Sequence, residues 1–185
     1  MMEMRIKILE AAVRVFMRYG VGRTRMGDIA TEAGVVRQTL YSFFKSKNEI
    51  LAASIRHYSE VSLDKIQKEW DTCDGISEKL DVYFEHAIIA SYQMISATPD
   101  ARDMIGGFNA HGMAETERAQ ANKIDVWEIE LSEHAMSKRH RALKKKQLSE
   151  FIVLSSIGLR DQAKSEKQLR SLLAIQKRCI LDLIA

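Results

Sequence analysis

Arg37, Gln38, Thr39 and Tyr41 fall within five positions, directly after Ala33-Gly34-Val35. Their chemistry is that of a surface that reads nucleic acid. Arg makes paired hydrogen bonds to guanine and Gln to adenine; Thr bonds a base edge or a phosphate and packs its methyl on thymine; a Tyr hydroxyl donates to a phosphate oxygen. If Val36, Leu40 and either Phe43 or Phe44 face a core, helical spacing turns Arg37, Gln38 and Tyr41 to the opposite side, where they can touch something outside the protein. Lys47 adds a positive charge at or just before the start of the next helix, where helix geometry also favours phosphate.

Three short helices are needed to hold these groups, and the sequence supplies them. The first carries Ile6, Leu9, Ala12, Val13 and Phe16 on one face and is expected to end at Gly20. The second presents Met26, Ile29, Ala30 and Ala33 and stops at Gly34, and the third is the short segment bearing the polar cluster. Helix, glycine turn and short polar helix form the helix-turn-helix arrangement, in which the second helix enters the DNA major groove. Charge agrees with this. Residues 1–47 hold nine Lys/Arg against four Asp/Glu, whereas the remainder holds nineteen against twenty-one, so the basic excess of the +3 chain lies in its first quarter.

The stretch GVGRTRMGDIATEAGVVRQTLYSFFKSKNEIL resembles the DNA-binding segment of the tetracycline-repressor (TetR) family of bacterial transcriptional regulators. The matching positions are Gly20, Thr24, Ile29, Ala30, Ala33, Gly34, Val35, Thr39, Leu40, Tyr41, Phe44, Ser46, Lys47 and Leu51. The resemblance covers about a quarter of the chain and implies DNA contacts from Thr24, Arg25, Val36, Arg37, Gln38, Thr39, Tyr41 and Lys47. Three positions depart from the family pattern. Arg25 replaces a second Ser/Thr, Val36 replaces a Ser that caps the recognition helix, and Gln38 stands where Gly is frequent. An uncapped start costs a helix about 1 kcal/mol.

The remaining residues read as helices as well, so the fold expected is all-α: a helix-turn-helix domain over 1–47 and a larger effector-binding and dimerisation domain over 48–185. A long helix starts near Asn48, with Leu51, Ile55, Tyr58 and Ser62 on one stripe, and runs to about Trp70. The next stripe is Leu80, Phe84, Ala87, Ile88, Ser91 and Ile95, ending at Pro99; a later one is Ile124, Trp127, Leu131 and Ala135. Glycines 106, 107 and 112 interrupt the chain between them. In the resembled family the middle helices enclose a small-molecule effector, usually apolar or aromatic, which assigns Tyr83, Tyr92, Phe108, His111 and Trp127 to its pocket; each of them could equally be ordinary core.

Phe151 to Leu159 is almost continuously apolar, and Leu169, Leu172, Leu173 and Ile180 follow in the last segment. A body this small has too little protein to cover two such helices, so their natural partner is a second copy packed as a four-helix bundle. The resemblance implies the same homodimer, with Phe151, Ile152, Ser155, Leu159, Leu169, Leu172, Leu173 and Ile180 at the interface.

Other chemistries find little support. The five histidines lack metal-ligand spacing, and no nucleophile elbow or phosphate loop occurs, so no cofactor, metal site or catalytic group is expected. Cys73 and Cys179 form no paired motif and read as two buried thiols. The run Ser137 to Lys146 reads as a solvated basic segment. No apolar run reaches membrane-helix length and the N-terminus has no signal-peptide pattern, which predicts a cytoplasmic protein. The function expected is a ligand-responsive homodimeric repressor of a pseudo-palindromic operator. An effector-independent DNA-binding protein, or a helical enzyme or carrier with an incidental basic head, are the alternatives.

Overall fold

The structure, a computed structural model, describes residues 1–97, 109–132, 134, 140 and 142–184. Every regular element among them is helical: α1 Met2–Arg23, α2 Met26–Ala33, α3 Arg37–Phe43, α4 Lys47–Trp70, α5 Ile76–Tyr83, a π-helical stretch Phe84–Ile89 leading into α6 Ala90–Ala97, α7 Ala110–Ser132, α8 Lys145–Gln162 and α9 Glu166–Ile184. The chain packs as two units. One comprises Met1–Val61 with Met94–Ala119, the other Ser62–Gln93 with Gln120–Ala185.

The first unit is built on one apolar cluster. Ile8, Leu9, Ala12 and Phe16 of α1 meet Ile29, Ala30 and Ala33 of α2, Leu40 of α3, Phe44, and Ile50, Leu51 and Ile55 of α4. Packing therefore extends beyond residue 47, because the first two turns of α4 complete the core of the head. Two local features shape this unit. Backbone geometry leaves the helix at Gly20 (φ 75°, ψ 154°), so the chain breaks there as its sequence predicts, although a further turn continues to Arg23. Gly34 caps α2 in the left-handed region (φ 65°), a conformation that costs a residue with a Cβ about 1 kcal/mol or more. That turn sets the direction in which α3 leaves α2.

Residue Val36 corrects one expectation. It does not join the core but is 69% exposed, while Val35 packs against the cluster in its place. The reason is positional: Val36 is the extended N-cap residue of α3 (φ −74°, ψ 151°), outside the helical register that carries Leu40 and Phe44 inward. Its side chain makes no capping bond, as a valine cannot. By contrast α4 starts with a formed cap, the Glu49 N–H donating to Ser46 Oγ at 3.2 Å and the Glu49 carboxylate accepting from the Lys45 N–H at 2.7 Å.

A second apolar cluster organises the other unit. Trp70 and Trp127 pack at 4.6 Å between ring centroids, and Tyr83 meets Trp127 edge-on at 5.5 Å. Leu80, Phe84, Ile88, Leu131, Leu148, Ile152, Val153, Leu169, Leu173 and Ile180 surround them. The stripe Leu80, Phe84, Ala87, Ile88 and Ser91 is buried as its spacing predicts, and the π turn occurs within it. A polar clasp joins α8 to α9: the Gln176 side-chain amide donates to Ser155 Oγ at 2.7 Å and to the Ile152 carbonyl at 3.1 Å. The cysteines differ from expectation. Cys179 is exposed and Cys73 only half-buried, because each lies off the buried stripe of its segment.

Candidate nucleic-acid interface

The polar groups of α3 stand on a rigid base. Leu40 and Phe44 are fully buried beneath them, so Gln38 and Tyr41 are held outward, with Thr39 half-buried beside them. Arg37 is exposed, but its guanidinium lies along the first turn of α2: a Cβ added to Gly27 would stand only 2.6 Å from Arg37 Nη2. The glycine leaves the space in which the arginine rests. Arg25 is exposed as the N-cap residue of α2, its backbone N–H donating to the Asp28 carboxylate at 2.8 Å. Arg25, Val36, Arg37, Gln38 and Tyr41 are thus solvent-facing members of the set expected from sequence.

Two members of that set have other duties. Thr24 is buried, its hydroxyl donating to the Gly20 carbonyl at 2.7 Å and so closing the end of α1. Lys47 is half-buried. Its ammonium donates to the carbonyls of Val21, Thr24 and Gly22 at 2.6, 2.9 and 3.2 Å. An ammonium has three hydrogens, and here each has an acceptor among the carbonyls at the end of α1. The geometry is that of an internal clamp tying the start of α4 to the end of α1. Neighbouring charge is partly neutralised too: Glu32 of α2 pairs with Arg14 of α1 at 2.7 Å, which draws its carboxyl below the usual range and fixes α2 against α1.

The residues assigned to the body are distributed as follows. Tyr83 and Trp127 are fully buried and pack together, and Tyr92 is half-buried against the same cluster. His111 is exposed in the first unit, where its N–H is held by Asn109 Oδ1 at 3.1 Å; Phe108 lies outside the described residues. Of the proposed dimer contacts, Ile152, Leu169, Leu173 and Ile180 are buried within the second unit's own core, so they face inward in a single chain. Ser155, Leu159 and Leu172 are half-buried and Phe151 is 44% exposed. Leu154 and Ile175, absent from the expected set, are 51% and 50% exposed on the same two helices. Their distance from the buried stripe along each helix was the available signal. In the basic run, residues 137–139 and 141 lie outside the described residues, and Lys145 bonds the Ser132 carbonyl.

Sequence reasoning missed two cations. Lys123 precedes Trp127 by four residues and is half-buried on the same side of α7, and desolvation with the nearby Arg160 charge pulls its pKa down to about 8. Arg160 of α8 donates to the buried Ser91 hydroxyl at 3.3 Å and pairs with Asp161 at 2.8 Å. Burial also pushes the Tyr83 phenol well above its ordinary pKa.

Among the described residues no group of His, Cys, Asp or Glu is arranged to hold a metal, and no helix is long and apolar enough to cross a membrane. Comparison with known proteins bears on the head first. The family model for bacterial regulatory proteins of the tetR family matches residues 8–54, the span from the core of α1 to the first turns of α4. The HTH-type transcriptional regulator AcrR of Shigella flexneri is 37% identical over 68 residues, 37% of this chain and 31% of that protein. The regulator TtgR of Pseudomonas putida is 47% identical over 51 residues, 28% and 24% of the two chains. The matched segment therefore spans a third or less of the length of those relatives. Over nearly the whole chain the fold is that of the transcriptional regulator FadR from Bacillus subtilis, solved in complex with stearoyl-CoA: TM-score 0.69 at 16% identity, covering 95% of this chain and 96% of that one. The head that carries α2 and α3 is thus similar to the matching segment of the tetR family of bacterial regulatory proteins, and the all-helical fold of the whole chain is similar to that of FadR.

Proposed function

We propose that the protein is a ligand-responsive transcriptional regulator, a homodimeric repressor that binds a pseudo-palindromic operator and is released by a small molecule. Residues 1–47 read DNA in this account, and residues 48–185 bind the effector and dimerise. The observation that carries it is the polar outer face of α3. Arg37, Gln38 and Tyr41 are presented outward by a helix whose inner side is locked by Leu40 and Phe44. Base reading falls to Arg37 and Gln38, and phosphate contacts to Arg25, Thr39 and Tyr41.

Exposed Phe151, Leu154 and Ile175 on the last two helices favour pairing with a second copy there. Two recognition helices related by that two-fold axis would meet half-sites about 34–36 Å apart, or a multiple of it. Release requires only that the effector prefer a conformation in which the heads are mis-spaced; a ligand binding both conformations equally would shift nothing. The fold shared with a regulator solved with stearoyl-CoA supports a ligand site in the body. Such a protein works in the cytoplasm and performs no catalysis.

Arg37→Ala and Gln38→Ala are expected to reduce discrimination between operator and mismatched sites by about 1–3 kcal/mol each, while binding to non-specific DNA changes little. Competition titrations with single-base operator variants measure this. Unchanged base preference in both variants would remove these residues from the reading surface.

A further inference from the structure

The core of the second unit contains polar atoms that the described residues do not satisfy. Tyr83 Oη and Trp127 Nε1 are both buried and have no hydrogen-bond partner among the described residues, although their rings pack edge-on at 5.5 Å. A buried donor left unpaired is costly, and most such groups in folded proteins find a partner. One turn before Trp127, Lys123 brings an ammonium onto the same face of α7, and Arg160 of α8 stands near both Lys123 and Tyr83.

The charges there do not balance. Asp161 answers Arg160 at 2.8 Å, but among the described residues no carboxylate pairs with Lys123. Instead its charged neighbour is a second cation, and desolvation disfavours its protonated form. Two orphan donors set among Trp70, Phe84, Ile88 and Leu131, with a positive charge one helical turn from Trp127, form an environment complementary to an anion with an apolar body.

We propose that this cluster receives the anionic group of the effector, a carboxylate or phosphate ester on an apolar body, whose oxygens accept hydrogen bonds from Lys123 Nζ, Tyr83 Oη and Trp127 Nε1. The inference rests on the reading of the body as an effector-binding domain. It adds that the effector is negatively charged, and it makes Lys123 the residue that distinguishes it from a neutral molecule of the same size. Arg160, anchored by Ser91 and Asp161, supplies a second fixed positive field.

Trp70 and Trp127 are the two tryptophans of the chain, so intrinsic fluorescence reports on the site. Dodecanoate, dodecyl phosphate and dodecanol are titrated against wild type, Lys123→Met and Tyr83→Phe, and operator binding is measured in parallel. Saturable binding of at least one anion is expected, at least about tenfold tighter than dodecanol. Lys123→Met should lose about tenfold or more for the anion and nothing for the alcohol, and Tyr83→Phe, which removes one hydroxyl only, should lose a few-fold. Preference for dodecanoate assigns a carboxylate, and preference for dodecyl phosphate assigns a phosphate ester. Equal affinity for alcohol and anions, no saturable binding by either anion, or unaltered anion binding in Lys123→Met overturns the proposal. The regulatory reading is scored separately: release of operator by dodecanol alone would keep it while overturning the anion site, whereas Lys123-dependent anion binding without operator release would keep the anion site and remove the effector role.

Discussion

Lys47→Met is expected to destabilise the protein by about 2–3 kcal/mol and to loosen the junction between α1 and α4, without lowering the salt dependence of DNA binding. The wild-type ammonium donates to three carbonyls, two of them within 2.9 Å. Hydrogen bonds from a charged donor contribute about 1.5–3 kcal/mol each when well formed, and less when, as here, the group is only half-buried. Methionine keeps most of the stem packing but donates nothing, so three carbonyls at the end of α1 would turn to water or remain unpaired. Denaturant unfolding followed by circular dichroism gives the stability change, and faster hydrogen exchange at residues 21–24 localises it. A lysine that instead contacted phosphate would leave stability intact and, when removed, reduce the slope of log affinity against log salt by about one unit. That pattern in Lys47→Met would contradict the clamp.

Lys123→Met is expected to act in the opposite direction and stabilise the ligand-free protein. Lys123 has a folded-state pKa near 8 against an ordinary value of 10.5. At pH 7 it is protonated both folded and unfolded, so the native state carries the cost of a partly desolvated charge that no carboxylate among the described residues pairs with. Between about pH 8 and 10.5 the unfolded chain binds the extra proton, hence wild-type stability from this group rises with pH across that window. The charged neighbour acting on it among the described residues is the Arg160 guanidinium, which lowers its pKa in the same direction as desolvation. Removing the charge should therefore gain about 2 kcal/mol at pH 7, some 4–8 °C in Tm, with the gain shrinking steadily above pH 8. Melting curves of both proteins at pH 7, 8, 9 and 10 test it. A destabilised variant, or a difference independent of pH, would mean that the ammonium has a partner within the native protein.

These two lysines also mark what could be read from the residues alone. The helical periods, the glycine breaks and the buried faces of α1 and α2 were legible, because amphipathic spacing and turn residues act locally. So was the outward set Arg37, Gln38 and Tyr41, since it opposes Leu40 and Phe44 on one short helix. The internal contacts of Lys47 are not legible in the sequence because its acceptors lie more than twenty residues earlier, and no local pattern announces a contact made by the end of another helix. Val36 fits both the core register and the DNA-contact set in sequence, and only the true start of α3, one residue later, removes it from the core register. Lys123 went unnoticed because its significance depends on which side chains surround it in the second unit, and a lysine between apolar stripes looks solvated in one dimension. The apolar residues of α8 and α9 were recognised as a group, but only packing separates inward Ile152, Leu173 and Ile180 from outward Phe151, Leu154 and Ile175.

The central claim is that two copies of this chain read a symmetric DNA site through α3. Incubating the purified protein with a genomic fragment library at about 50 and 200 mM salt, then sequencing what is retained, tests it most directly. The account predicts enrichment of a pseudo-palindrome whose half-sites are one helical turn or a multiple apart, with affinity falling by about a thousandfold between the two salts if six phosphates are contacted. Fragments sharing no two-fold motif, or none above background at either salt, would contradict it.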